Sequence, residues 1–389
     1  MNEQIVLFDK PKIHKNIFPI TMTRSIAKCI IGIDTIQEKW QRSFNREIQI
    51  STLDYLKSLY PSPQTNTPTL FISSNLLPNK ELLLRITALT KGQGLKKGNE
   101  ILCFIADNYS DKEINFMEFK EAIIALEHSW DIFKFNGDAI ESDFVDITRK
   151  RKSQELDKSN TIIGDKNKIF LETGAIVRAS VLNTEAGCIY IGKDAEVMEG
   201  SLIRGPFALG EHGVTKLGTK VYGPTTVGPY SKIGGEVNNS VIFSYSNKGH
   251  DGFLGNSVLG EWCNLGADTN NSNLKNNYGV VKTYSHSEKK EITTGMQFCG
   301  LIMGDHSKSG INTMFNTGTI CGVSSNVFGG GFPQKHIRSF TWGGSEKEDI
   351  YEFEKAIEVA NRMMERRGKS VSKEEKQLLR TIFNNRMQE

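Results

Sequence analysis

The stretch "IGKDAEVMEGSLIRGPFALG", Ile191 to Gly210, carries Ile191, Val197, Ile203 and Leu209 at intervals of six. Neither an α-helix nor a flat strand repeats every six residues. The interval recurs at Val221, Val227 and Ile233, at Phe253, Leu259 and Leu265, and at Met303, Ser309, Phe315, Cys321 and Val327. A parallel β-helix has this period, because each six-residue side of a coil sends one small apolar side chain inward. Glycine crowds between Gly164 and Gly344, with none before Gly32. The glycines are read as serving tight corners of positive φ. A β-sandwich or chance spacing is the alternative, and three agreeing tracts weigh against it.

Working outward, the repeat predicts a β-helix over residues 162–340. The period lapses at about 270–298, where a long polar segment predicts an extruded loop. Before the repeat, "TRKRKSQELDKSN", Thr148 to Asn160, has little to bury, so 151–161 reads as a linker. After it, Ile350, Phe353, Ile357, Ala360 and Met364 form one helical stripe that Gly368 stops. A capping box, Ser372 with Glu375, opens a second helix carrying Leu378, Leu379, Ile382 and Phe383. Residues 345–389 are therefore expected to be amphipathic helices, either a cap on the solenoid or a functional element. Residues 1–150 carry strand candidates at "QIVLF", "TLFIS" and "ILCFIA" and a helix candidate at "GIDTIQEKWQR". They predict a small α/β domain.

The chain has 389 residues, more than one core usually serves. With 38% hydrophobic and 24% charged residues it has the composition of a folded globular protein. A net charge of +3 is too balanced to suggest a nucleic-acid surface. Cysteines 29, 103, 188, 263, 299 and 321 are dispersed among apolar neighbours, without a C-x-x-C pair. They read as reduced core residues of a cytoplasmic protein. "MNEQIVLFDK" does not read as a signal peptide, and no segment approaches the roughly 18 apolar residues of a membrane span.

Two pieces of the first half resemble sugar-phosphate nucleotidyltransferases. "NIFPITMTRSIAKCIIG", Asn16 to Gly32, resembles the segment after their phosphate loop. "SWDIFKFN", Ser129 to Asn136, resembles the Trp-Asp-x-x-x-x-Asn element that closes that domain. The resemblance implies UTP and Mg²⁺ as ligands, with Lys15, Arg24 and Lys28 as candidates for binding nucleotide phosphate. The chain departs from that pattern where the family has a Gly-Gly-x-Gly loop, for "FDKPKIHKN" stands there instead. Close backbone approach to a phosphate is sterically difficult without glycine. Ser25 and Ile26 replace an expected lysine, and Ala125 falls near an expected magnesium-binding aspartate. A domain retained for binding or assembly fits these departures as well as an active one.

A second resemblance lies in "SNKGHDGFLGNSVLGEWCNLGADTNNSNLKNNYG", Ser246 to Gly279. It is similar to the Lys-x-Gly-His segment and the following hexads of bifunctional N-acetylglucosamine-1-phosphate uridyltransferase/glucosamine-1-phosphate acetyltransferases, the GlmU type. These belong to the hexapeptide-repeat acyltransferases, which implies a left-handed parallel β-helix. The resemblance places His250 at the general base and Asn273 at the substrate-site asparagine. Asn264, Gly266, Ala267 and Thr269 preserve the intervening hexad. Phe253 replaces a tyrosine, Asn238 a lysine and Asp268 a glycine, which opens the choice of acceptor.

The chemistry accounts for such residues. An amino sugar at neutral pH is largely an ammonium without a lone pair. A neutral histidine in hydrogen-bond reach accepts its proton as attack on a thioester begins, while backbone N–H groups can meet the developing oxyanion. Lys248, Lys282 and Arg204 are candidates for the sugar phosphate, and the two lysines read equally well as solvated surface. The resemblance implies acetyl-CoA in a groove between solenoids, hence a homotrimer. Ala267, Ser309, Gly310 and Gly322 are then cofactor-contact candidates, with Lys308, Lys335 and Arg338 as candidates for its phosphates. No two histidines from His212 onward have the spacing of a solenoid zinc site, so no metal is expected. The reading is an acetyl-CoA-dependent N-acetyltransferase on an amino-sugar phosphate, with glucosamine 1-phosphate as leading acceptor, alone or coupled to uridyl transfer. Another amino-sugar nucleotide as acceptor, or a trimeric scaffold with decayed sites, are the rivals.

Overall fold

In the computed structural model, which describes residues 3–64 and 68–389, the first 148 residues form a six-stranded mixed sheet with helices. Gln4–Phe8 pairs in parallel with Gln49–Ser51 and Thr69–Ser73, and Thr69–Ser73 runs antiparallel to Glu100–Ala106. The three strands expected from apolar runs are all present. Ile36–Phe44 is the expected helix, opened by a capping box between Thr35 and Glu38. Where relatives of the first half would carry a glycine loop, Pro11–Asn16 is a short helix that starts with proline.

The second domain is a left-handed parallel β-helix built of three sheets. Its first face has nine strands, from Ile169–Leu171 to His336–Ile337. The interior holds Ile191, Val197, Ile203, Leu209, Val221, Val227, Ile233, Leu259, Leu265, Met303, Phe315, Cys321 and Val327, as the hexads predict. One register differs. Phe253 is not inside; it pairs with the outward Glu236, and Leu254 takes the inward position opposite Val237. Coils here are shorter than three hexads: Val227 pairs with Ile242 and Ile242 with Leu259. Residues lost at the turns shift the six-residue count by one, so the interval from Phe253 to Leu259 is a coincidence of spacing. Ser309 is buried in the same register, its hydroxyl satisfied by Thr269 Oγ1 at 2.8 Å.

Glycines hold some of the positive-φ corners that the sequence suggests, among them Gly200, Gly218 and Gly235. One corner of successive coils has positive φ, but it is occupied by Asp194, His212, Tyr230, Tyr245, Trp262, His306, Ser324 and Phe340. Left-handed backbone costs such residues roughly 1–2 kcal/mol each. Their side chains line up along the solenoid and stack: His212 on Tyr230 at 4.8 Å, Tyr230 on Tyr245 at 5.1 Å, Tyr245 on Trp262 at 4.2 Å. Each aromatic pair offsets about 0.5–1.5 kcal/mol of that strain. Other glycines are needed where coils approach. A Cβ on Gly210 would lie 2.6 Å from the backbone nitrogen of Pro229.

The outward side of the first face explains how the domains meet. Val241, Val258, Ile302 and Ile320 point away from the interior and join the core of the N-terminal domain, among Ile5, Leu7, Ile72 and Trp40. Polar staples frame this contact. Asn136, which ends the Trp-Asp element, accepts from Gly32 N at 2.8 Å and from Thr226 Oγ1 at 3.1 Å, and Thr226 also donates to Gly32 O. Arg24 is buried beneath Phe243 and pairs with Asp305 of the solenoid.

Several peripheral segments are more integrated than their sequences suggest. The expected linker lies against the first coil, with Gln154 N bonded to Leu171 O and Arg151 paired with Glu172. The extruded segment contains an antiparallel hairpin, Lys282–Ser285 with Lys290–Thr293. It is anchored by Val281 and Cys299, which enter the interdomain core. The C-terminal helices are Phe353–Glu365 and Lys373–Asn385, the second with the expected capping box. Ile350 is exposed at the end of a preceding strand and does not belong to the first helix. The helices bury Phe353, Ile357, Leu378, Leu379 and Ile382 against Met22 and Leu56 of the first domain and Val323 and Phe340 of the solenoid. All six cysteines are buried and free. Among the described residues, no helix is long and apolar enough to cross a membrane.

Candidate active site

The second face of the solenoid stacks its outward residues in register: Val214, Lys232, Asn247, Asn264, Lys308 and Asn326. The first C-terminal helix lies over this face and leaves a groove of about 650 Å³. His250 stands in its wall, exposed, just beyond the Asn247–Lys248 strand. Asn264 lines the same groove, together with Tyr245, Asn247, Trp262 and Leu265. The helix contributes Val359, Arg362, Met363 and Arg366, spaced i, i+3, i+4 and i+7, followed by Arg367. Its apolar stripe packs the other way, onto Met22, Leu56, Val323 and Phe340. The helical period in the sequence shows only that stripe. The second stripe, of long cations and two apolar residues in "EVANRMMERRG", looks in sequence like an ordinary solvated helix face.

Lys248, a candidate for the sugar phosphate, is turned inward. It takes a core position opposite Ile233 and is 2% exposed. Its Nζ donates to Gly234 O at 3.0 Å and to His250 O at 2.6 Å. Burial pulls its pKa down to about 8, against the opposing charges of Asp251 and Asp268. The ammonium thus ties down the backbone of the histidine. Lys308 lies in the groove, its Nζ bonded to His306 O at 2.8 Å and its pKa lowered to about 8 by burial.

The other candidates lie elsewhere. Asn273 and Phe253 sit together on the third face, both against Gly255, and Asn273 Nδ2 donates to Asn256 Oδ1 at 2.8 Å. Neither lines the groove of His250. Arg204 is exposed on that third face, several coils earlier. Lys282 belongs to the hairpin of the extruded segment, where its carbonyl accepts from Lys335 Nζ at 2.7 Å, and Lys335 also pairs with Glu291. Ala267 accepts from Asn312 N through its carbonyl, and Gly310 from Thr313 Oγ1. Gly322 is buried against Ser339, so it offers no backbone contact to a ligand. Arg338 is exposed beyond the groove lining. Ser309 is inside the coil, as above.

Of the three nucleotide-phosphate candidates of the first half, Arg24 and Lys28 line one pocket and Lys15 another. Lys15 lines a pocket with Phe18, Tyr55, His286 and the last helix. Lys28 borders another with Tyr60 and Glu261. Arg24 is consumed by Asp305; burial alone would lower its pKa, but Asp305 and Glu261 raise it and keep the guanidinium charged. Open α/β sheets bind ligands at the carboxyl ends of their strands. Here the carboxylate at the end of the first strand is already engaged by protein donors. Asp9, just after the first strand, accepts from Ser25 Oγ at 3.0 Å, Ile26 N at 3.2 Å, Thr52 Oγ1 at 2.6 Å and Ser74 Oγ.

Residues 5–152 match the sugar nucleotidyl transferase family. The chain is 25% identical over 250 residues to a bifunctional sugar-1-phosphate nucleotidylyltransferase/acetyltransferase of Sulfurisphaera tokodaii, covering 63% of this chain and 59% of that one. It is 30% identical over 116 residues to the bifunctional protein GlmU of Methanocaldococcus jannaschii, covering 30% of this chain and 28% of that one. The matched parts thus span less than two thirds of these relatives. Among solved structures, the polysialic-acid-specific acetyltransferase NeuO aligns with 54% of this chain and 94% of its own, at 14% identity and a TM-score of 0.27. AntD, an N-acyltransferase from Bacillus cereus, aligns with 53% and 91%, at 12% identity and a TM-score of 0.24. The chain is thus similar to sugar nucleotidyl transferases over its first domain and to bifunctional nucleotidylyltransferase/acetyltransferases over part of its length.

Proposed function

We propose that the chain is an acetyl-CoA-dependent N-acetyltransferase acting on an amino-sugar phosphate, with glucosamine 1-phosphate as the leading acceptor. The observation that carries this reading is the exposed imidazole of His250 in a groove shared with Asn264, within the segment that resembles the acetyltransferase site. The bifunctional relatives support the same class of chemistry. In this reading His250 takes the proton of the acceptor amine as the amine attacks the thioester carbonyl. A positioned base of this kind contributes about 10²–10⁴-fold. Lys248 holds His250 through its carbonyl, so the base is presented on fixed backbone. Asn264 and Asn247 line the approach and can hold sugar hydroxyls. The thiol ester is supplied by acetyl-CoA, for which the groove has both the size and the cations. A homotrimer belongs to this proposal, and the mass in solution tests it.

The residues of the first domain do not fit a nucleoside triphosphate with magnesium. Asp9 is saturated by four protein donors and Arg24 is committed to Asp305. We therefore assign this domain to assembly, as the buttress on the first face of the solenoid. Phe253, where related sites carry a hydroxyl, favours a second reading in which the acceptor is an amino-sugar nucleotide. A thiol-release assay with acetyl-CoA decides between them. Release with glucosamine 1-phosphate supports the first reading, and release only with an amino-sugar nucleotide supports the second. Magnesium-dependent pyrophosphate release from UTP and N-acetylglucosamine 1-phosphate would overturn the assignment of the first domain.

A further inference from the structure

We propose that the groove beside His250 is a two-walled site for an organic diphosphate, with the C-terminal helix as one wall. Lys216 and Lys232 of the solenoid face Arg366 and Arg367 across it, and Arg362 and Lys308 flank them. No carboxylate lines the groove. Among the described residues, Lys216, Lys232, Arg366 and Arg367 form no ion pair, whereas Arg362 is already paired with Glu358 at 2.5 Å. The cations are close enough to act on one another. Lys232 is pushed below the usual lysine range by burial and by Arg367, Lys216 and Arg366, against the opposing charge of Glu196. Folding a helix so that its arginines meet lysines across a cleft costs free energy, and an anion between the walls removes that cost. Arg367 Nη2 reaches Tyr230 O at 3.4 Å, which sets its guanidinium at the aromatic corner of the solenoid.

The size of the site argues for more than a lone phosphate. The groove holds about 650 Å³, and Val359, Met363, Trp262 and Leu265 add apolar surface beside the cations. That combination suits a ligand with two adjoining phosphates and an apolar or aromatic arm. The placement sets direction: the phosphates lie toward the helix, and the reacting end lies at His250. Two ligands share this chemistry, the adenosine diphosphate end of coenzyme A and the diphosphate of an amino-sugar nucleotide. The inference rests on the acyltransferase reading only for its choice of these two; the diphosphate site stands on the groove itself.

Direct binding to the full-length protein, followed by calorimetry or by tryptophan fluorescence through Trp262, tests it without any acyl transfer. Coenzyme A and UDP are the two probes, with inorganic pyrophosphate as competitor. At least one probe should bind, pyrophosphate should displace it, and Arg366→Ala with Arg367→Ala should weaken it by roughly tenfold or more. Lys216→Gln with Lys232→Gln should do the same from the opposite wall, which decides the matter if the arginine variant fails to fold. Lys355→Ala, on the outer side of the same helix, should bind as the unaltered protein does. Preference for coenzyme A assigns the groove to the acyl donor, and preference for UDP assigns it to a nucleotide acceptor. No binding of either probe, or binding within twofold in both double variants, would overturn the proposal. His250→Ala separates the two readings, because it should slow transfer by about 10²–10⁴-fold while leaving diphosphate affinity intact.

Discussion

Removing the carboxylate of Asp305 isolates the interaction that joins the two domains. Arg24 is 5% exposed, and Asp305 is its direct partner, with Glu261 next at 3.7 Å. Asp305 also accepts from Thr23 Oγ1 at 2.7 Å and from Glu261 N at 2.8 Å. Asp305→Ala therefore leaves the buried guanidinium only the longer contact to Glu261 and deprives two further donors of their acceptor. Breaking one side of a buried pair costs about 3–5 kcal/mol, and the extra unmet donors put this case in the upper half of that range. With a urea m-value of about 3 kcal/mol/M, the midpoint falls by roughly 1.5 M. Urea unfolding of the single variants and of Arg24→Met with Asp305→Leu measures this. The double replacement should recover at least half of the loss, because no uncompensated guanidinium remains. A loss below about 1 kcal/mol in Asp305→Ala, or a double variant no better than the single, would refute the claim that this charge is sealed between the domains.

The register of the shortened coil predicts that Leu254→Ala costs about 2–5 kcal/mol, as a core truncation does. Phe253→Ala, outward on the same strand, should cost far less; the reverse order in thermal unfolding would restore the hexad count. The cysteines predict an alkaline limit to stability. Burial pushes the thiols of Cys29, Cys103, Cys299 and Cys321 up to about 12, whereas unfolded thiols ionise near 8.5. Above that pH the folded chain binds more protons than the unfolded one, so stability falls as pH rises, by about 1.4 kcal/mol per pH unit for each such thiol. Denaturation midpoints between pH 8 and 10 should decline steeply, and flat midpoints would contradict the burial.

The solenoid was legible in the sequence because one buried residue per six leaves a period that no other element imitates. The count slipped at Phe253, where turns lose residues and the hexad interval is met by accident. The interdomain contact was hidden for a related reason. Val241, Val258, Ile302 and Ile320 sit beside inward residues, and a run such as "LIM" does not say which of its neighbours faces another domain. At the candidate site, His250 and Asn264 were found by resemblance, and both line the groove. Lys248 was misjudged because a lysine at a core register is uncommon, and its two backbone carbonyl partners are invisible in the chain order. Arg366 and Arg367 were passed over because solvated helix faces also carry cations. Only the fold shows that these two meet Lys216 and Lys232.

The central claim is that His250 is the base of an acetyl transfer. Thiol release from acetyl-CoA, measured with saturating amino-sugar phosphate in the unaltered protein and in His250→Ala, tests it most directly. The account predicts turnover lower by about 10²–10⁴-fold in the variant, with an unchanged melting temperature. Turnover within a few-fold of the unaltered protein would contradict it.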